Sequence, residues 1–82
     1  MRTIRGYTLK LKDDNGNKLA PNTAIVEFDA DMIDDVPSDG ILDGYTLFQG
    51  SIVYVISSGK FYVLDSEGKW HDSKDGAILS QE

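Results

Sequence analysis

Cysteine is absent from the 82-residue sequence, and histidine occurs once. The first absence removes disulfide staples, thiolate metal ligands and cysteine nucleophiles. The second removes an imidazole metal cluster within one chain. Basic residues are scarce: 8 Lys+Arg stand against 14 Asp+Glu, so the formal net charge is −6. A general binder of phosphate backbones draws its affinity from Lys and Arg, so nucleic acid is not an expected partner. Long apolar runs are missing too. The longest, residues 52–56, falls far short of the roughly 20 residues that span a bilayer. The charged start, residues 1–6, leads into alternating polar residues rather than the apolar stretch of a signal peptide. These features predict neither a leader nor a membrane segment, so a soluble chain made in a cytoplasm is expected.

The length allows one small domain, taken here as residues 1–82. A chain of this size buries only about 60% of the surface that its unfolded form exposes. Without disulfides or metal it needs a well-packed sheet or a partner subunit. Four segments follow from the pattern: a hairpin and strand over 1–28, an acidic loop over 29–44, a β-meander over 45–71 and a polar tail over 72–82.

In the first segment Tyr7, Leu9 and Leu11 alternate with Thr8, Lys10 and Lys12, the period of a half-buried strand. Asn15-Gly16 predicts a type I′ hairpin turn, with residues 18–20 returning before Pro21. The oxygen-rich Asp13-Asp14-Asn15 does not continue as a calcium loop, since the twelfth position from Asp13 is Ala24 rather than Glu. Residues 23–28 are rich in β-branched side chains and predict a second strand. The acidic run that follows holds Glu27, Asp29, Asp31, Asp34, Asp35, Asp39 and Asp43 with no Lys or Arg among them. It reads as a solvated loop with one helical turn over 31–36, Asp29 at its cap. The other reading is a cation site or a face for a basic partner.

The meander has strands at 45–48, 51–56 and 60–64 and a start at 69–71. Residues 57–59 and 65–68 supply the tight turns. Residues 52–56 are apolar on both faces, which predicts a central strand buried on both sides. The expected core is Ile52, Tyr54, Ile56, Phe61, Val63 and Trp70 with Leu9, Leu11, Ile25 and Phe28. The fold class is therefore all-β, a small antiparallel sandwich or partly open barrel, with the N-terminal hairpin packed on a C-terminal three-stranded meander.

Catalytic chemistry has little to draw on. His71 is the sole imidazole, and its neighbour Asp72 points to the opposite face of a strand. Ser57, Ser58 and Ser66 occupy turns, where serine is common. Gly40-Ile41-Leu42-Asp43-Gly44 lacks the lysine and following helix of a phosphate-binding loop. No enzyme, cofactor or metal is expected.

Two resemblances bear on function. Gly59-Lys60-Phe61-Tyr62-Val63-Leu64-Asp65-Ser66-Glu67-Gly68 looks like one repeat of choline- and glucan-binding hairpin arrays. That resemblance implies a small ligand-binding β module, related to carbohydrate or the cell wall, although such arrays form their sites between successive repeats. The longer stretch from Pro37-Ser38-Asp39-Gly40, through Gly50-Ser51 and Ser58-Gly59-Lys60, to Tyr62, Asp65 and Trp70 resembles small phage and prophage virion-associated proteins. These carry a Pro-x-x-Gly turn, a Gly-Ser strand, a Gly-Lys-x-Tyr hairpin and an Asp-x(4)-Trp closing turn. Ser57-Ser58 differs from the Asp-Thr pair common there, and the hairpin over 1–28 is additional. The resemblance implies a non-enzymatic accessory or assembly subunit whose partners are other virion proteins or further copies of itself. Within this chain, Ala77, Ile78 and Leu79 are the expected docking strand, with Trp70 and Tyr62 as further interaction residues.

Overall fold

The computed structural model describes residues 2–79. It is all-β, as the alternation predicts. Seven strands form one mixed sheet: β1 (Arg2–Leu9), β2 (Thr23–Ala30), β3 (Ile41–Leu42), β4 (Tyr45–Leu47), β5 (Ile52–Val55), β6 (Lys60–Leu64) and β7 (Trp70–Asp72). A 3-10 turn at Ile33–Asp35 follows β2. Its cap is Met32, and Asp29, expected at that position, lies within β2.

The centre of the sheet is β2 rather than β5. One edge of β2 pairs antiparallel with β1. The other edge is shared: β4 pairs in parallel at Thr23 and Ala24, and β5 pairs in parallel from Glu27 to Ala30. The expected antiparallel pairing is therefore corrected to a mixed one at β2, within the small all-β sandwich or open-barrel class that the sheet fits. Parallel neighbours require a long crossover, and the acidic segment with β3 and β4 supplies it. The hairpin joins the meander edge to edge instead of lying across it. From β5 onward the expected antiparallel meander is present, with Ile52 opposite Val63 and Leu64 opposite Trp70.

Where β2 changes neighbours its ladder would be broken, and Ser51 fills the gap. The Val26 amide donates to Ser51 Oγ at 3.1 Å, and that hydroxyl donates to the Phe48 carbonyl at 2.8 Å. Ser51 is fully buried, so this side chain replaces backbone partners that neither strand provides.

The hairpin is longer than expected. Its ladder runs from Arg2 opposite Ala30 to Leu9 opposite Ala24, with a register shift between Ile4 and Gly6. Ile4 and Tyr7 are an odd number of residues apart and would face opposite sides of a regular strand. The extra residue of the bulge brings both to the inner side. Arg5, at the bulge, pairs its Nε with Asp29 Oδ1 at 3.2 Å. The Asn15-Gly16 turn lies within the connecting loop, where Lys12 bridges Lys18. Gly16 has φ +82° but Asn15 does not have positive φ. The Gly16 amide donates to the Asp13 carbonyl at 3.1 Å. This is a type I turn followed by a left-handed glycine, and it replaces the expected type I′ turn. The Asp13 carboxylate accepts the amides of Asn17 and Asn15 at 2.8 and 2.9 Å, so it caps this turn.

One face of the sheet is the core. Ala24, Val26, Phe28 and Ala30 of β2 meet Val53 and Val55 of β5, Tyr62 and Leu64 of β6, and Trp70 of β7. Val36, Leu42 and Leu47 complete the cluster from the crossover. Phe28 and Trp70 meet edge to face at 5.8 Å and 74°, a favoured aromatic geometry. The Trp70 indole donates to the Pro37 carbonyl at 3.0 Å. The acidic segment is thus more than a solvated loop, since it brings Val36 and the Pro37 carbonyl onto the core.

The expected core is corrected in its face. Phe28 and Trp70 are buried, but Ile25, Ile52, Tyr54 and Val63 are only half-buried, and Leu9, Leu11, Ile56 and Phe61 are exposed. The physical reason is the register. Phe28 is opposite Val53, so the inner side of β2 selects the valines of β5, and the isoleucine and tyrosine of that strand turn outward.

Candidate interaction surfaces

The outer face of the sheet carries a small apolar cluster among charged side chains. Ile52 and Val63 are cross-strand partners, as are Tyr54 and Phe61. The Tyr54 and Phe61 rings lie 4.7 Å apart at 44°. Phe61 is 44% exposed. Glu27 is on the same face, directly opposite Ile52. A cluster of apolar side chains on a solvent-facing sheet, edged by charge, has the composition of a contact surface.

The tail residues expected to dock a neighbour pair within the chain. The Asp72 amide donates to the Ala77 carbonyl at 2.8 Å, and the Leu79 amide donates to the Trp70 carbonyl at 2.7 Å. Ile78 bridges His71 between them. Residues 77–79 therefore extend the meander by one short edge. The alternation of an antiparallel pair turns the Ile78 amide and carbonyl away from β7. Leu79 packs against the core, whereas Ile78 is exposed. Residues 80–82, the rest of the expected tail, lie outside the described residues. Trp70 and Tyr62 are 3% and 5% exposed. Their place is in the core, so neither ring is on an interaction surface or a sugar-stacking platform.

His71 has a partner that sequence adjacency did not suggest. Its Nε2 is 2.5 Å from Asp65 Oδ2, and its Nδ1 is 2.7 Å from the Gly76 carbonyl oxygen. The signal lies in the hairpin register. Val63 is opposite His71, which makes Asp65 a diagonal neighbour on the same face. Asp65 Oδ1 also accepts the amides of Glu67 and Lys69 at 2.8 and 2.9 Å. Both ring nitrogens of His71 face acceptors, an arrangement that the doubly protonated ring satisfies in full. In that form the ring clamps the turn after β6 to the turn after β7. The Gly76 carbonyl and then the Asp65 carboxylate raise the His71 pKa above its ordinary 6.5. The Lys69 amide and then His71 hold Asp65 below the ordinary 3.8.

The contribution of His71 is fully present below pH 6.5, its unfolded value, and is lost as pH rises through the higher folded value. The contribution of Asp65 is present above 3.8, its unfolded value, and is lost as pH falls through the lower folded value. The thermal midpoint is expected to decline on the alkaline side of His71 titration, and the decline is expected to vanish in His71→Gln. An NMR titration checks the cause directly: a His71 pKa at or below that of a free histidine contradicts the clamp.

Two of the concave regions formed by the described residues bear on function. An open cleft of about 770 Å³ has Arg2, Asp34, Asp35, Asp39 and Asp43 along it. A groove of about 460 Å³ in the β1–β2 connection has an apolar floor that includes Leu9, Leu11 and Leu19, with Lys10, Lys12 and Lys18 around it. Among the described residues, no group of three or more His, Asp or Glu could hold a metal ion. Among them, too, no helix is long and apolar enough to cross a membrane. No protein-family model, no curated protein and no solved structure matches the chain.

Proposed function

We propose that this chain is a non-enzymatic structural or interaction protein, a virion-associated accessory or assembly subunit of a phage or prophage. The observation that carries the reading is the outer sheet face, where exposed Phe61 and half-buried Ile52, Tyr54 and Val63 gather although the opposite face already forms the core. Large apolar side chains gathered on an open face gain free energy when a partner covers them, at about 25 cal/mol per Å² removed from water. The resemblance of residues 37–70 to small virion proteins gives that partner its class: other virion or assembly proteins, or further copies of the chain. In this reading the chain resides in the particle or, before assembly, in the host cytoplasm.

Quantitative mass spectrometry of purified particles from the phage or induced prophage that encodes the chain tests the reading. The expected result is a fixed copy number per particle that survives repeated gradient purification. Particles devoid of the chain, together with normal particle yield after deletion of its gene, would contradict both an accessory and an assembly role.

A further inference from the structure

After β7 the chain turns back on itself. The turn is tied at its start, where the Ser73 amide donates to the Phe61 carbonyl at 3.0 Å, and closes where the Gly76 amide donates to the Asp72 carbonyl at 2.8 Å. Residues 77–79 then run along β7 on two backbone hydrogen bonds, from the Asp72 amide to the Ala77 carbonyl and from the Leu79 amide to the Trp70 carbonyl. Leu79 adds a partly buried side chain against the core. A segment held by so few contacts opens locally at less cost than the central strands.

His71 supplies the remaining tie. Its Nδ1 lies 2.7 Å from the Gly76 carbonyl oxygen, and its Nε2 lies 2.5 Å from Asp65 Oδ2. Neutral imidazole has one N–H and one bare lone pair, so it serves only one of these two acceptors. Asp65 carries a full negative charge, whereas Gly76 offers a carbonyl dipole. A single ring proton therefore stays on Nε2, and the Nδ1 lone pair is left against the Gly76 carbonyl.

We propose that residues 73–79 are a pH-operated strap, locked onto β7 by the doubly protonated His71 ring and released when Nδ1 loses its proton. Asp65 and Lys69, both from the β6–β7 turn, act on the ring with opposite signs, and the Asp65 carboxylate is the one in contact with it. Lys60 of β6 reaches Asp72 instead, at 3.9 Å. On the strap itself, the Lys74 amide donates to Asp72 Oδ1 at 2.8 Å, and Asp75 Oδ1 accepts the Ala77 amide at 2.9 Å. The lock is present at low pH and is lost as pH rises through the titration of the locked ring. Release uncovers the β7 edge and lifts Leu79 off the core. An open edge is a template for a further strand, so the protonation of one ring decides whether this edge is closed. The inference rests on the His71 geometry and not on the virion reading.

Hydrogen exchange of the Leu79 amide, followed by NMR and corrected for base catalysis, is the experiment. Protection is expected to fall about three- to tenfold as pH rises through the His71 titration, the worth of one modest hydrogen bond. At every pH Leu79 is expected to exchange faster than the Leu64 amide, which donates to the Ser51 carbonyl at 2.9 Å; that difference marks opening of the strap rather than unfolding. Above the titration, the ring-nitrogen chemical shifts of His71 are expected to report the Nε2–H tautomer. Asp65→Asn separates the lock from a merely structural role. Its Oδ1 still accepts the Glu67 and Lys69 amides, as Asp65 Oδ1 does, while its amide group donates to Nε2 and leaves the ring proton on Nδ1 for Gly76. The strap of that variant is expected to stay closed through the same pH range. His71→Gln is expected to remove the pH dependence. Leu79 protection that stays constant through the wild-type titration overturns the inference. So does an Nδ1–H tautomer of the neutral ring, Leu79 exchange at the Leu64 rate throughout, or an Asp65→Asn strap that loosens with pH as the wild type does.

Discussion

Phe28→Ala and Trp70→Ala are each expected to destabilise the fold by about 3–5 kcal/mol, the usual cost of removing a buried aromatic side chain. Phe28 has no exposed surface and Trp70 has 3%. Each lies against the other edge to face. Loss of Trp70 also leaves the Pro37 carbonyl without its indole donor. Domains of this size have about 5–15 kcal/mol in total at most, so either variant removes a large share of it. Equilibrium denaturation in urea reads the effect directly. Ile52→Ala and Phe61→Ala, on the outer face, are expected to cost less than about 1.5 kcal/mol, because their side chains stay partly in water in the folded state. Equal losses on the two faces would mean that the sheet is buried on both sides.

The second large effect is at a small residue. Ser51→Ala removes only a hydroxyl, yet it leaves the Val26 amide buried at the point where β2 passes from β4 to β5. An unsatisfied buried donor costs about 1–3 kcal/mol, which in a domain this small lowers the thermal midpoint by roughly 5–20 °C. Ser51→Thr keeps the hydroxyl and adds a methyl group at a fully buried site. It is expected to retain the hydrogen bond while introducing strain. Slow exchange of the Val26 amide in wild type, and fast exchange in Ser51→Ala, would trace the loss to that donor. A midpoint within a few degrees of wild type in Ser51→Ala would show that another group satisfies Val26.

Local pattern made the strands legible, whereas long-range register stayed hidden. The alternation and turn residues located β2, β4, β5, β6 and β7 to within a residue or two, because period-two patterning and glycine turns act locally. Residues 2–6 did not read as strand. The bulge at Arg5–Gly6 breaks the alternation there, so Ile4 falls out of phase with Tyr7 and Leu9. Both faces of β5 are apolar, so its own alternation does not say which face is the core. The information lay in β2, where Glu27 and Asp29 mark the outer side. It becomes usable only with the parallel register that sets Phe28 opposite Val53, and no short-range signal announces a parallel pair. The His71–Asp65 pairing needed the β6–β7 register in the same way. The docking role of residues 77–79 rested on their apolar character alone, and β7 is the neighbour that takes their backbone.

The inner face holds the fold together, and the outer face is the one the proposed partner covers. The double variant Ile52→Ser/Phe61→Ser tests both halves together, with particle copy number and thermal midpoint measured on the same protein. The predicted result is a folded chain whose midpoint lies much closer to wild type than that of Phe28→Ala, and whose copy number in purified particles drops sharply. A copy number equal to wild type, or a midpoint as low as that of Phe28→Ala, would contradict the account.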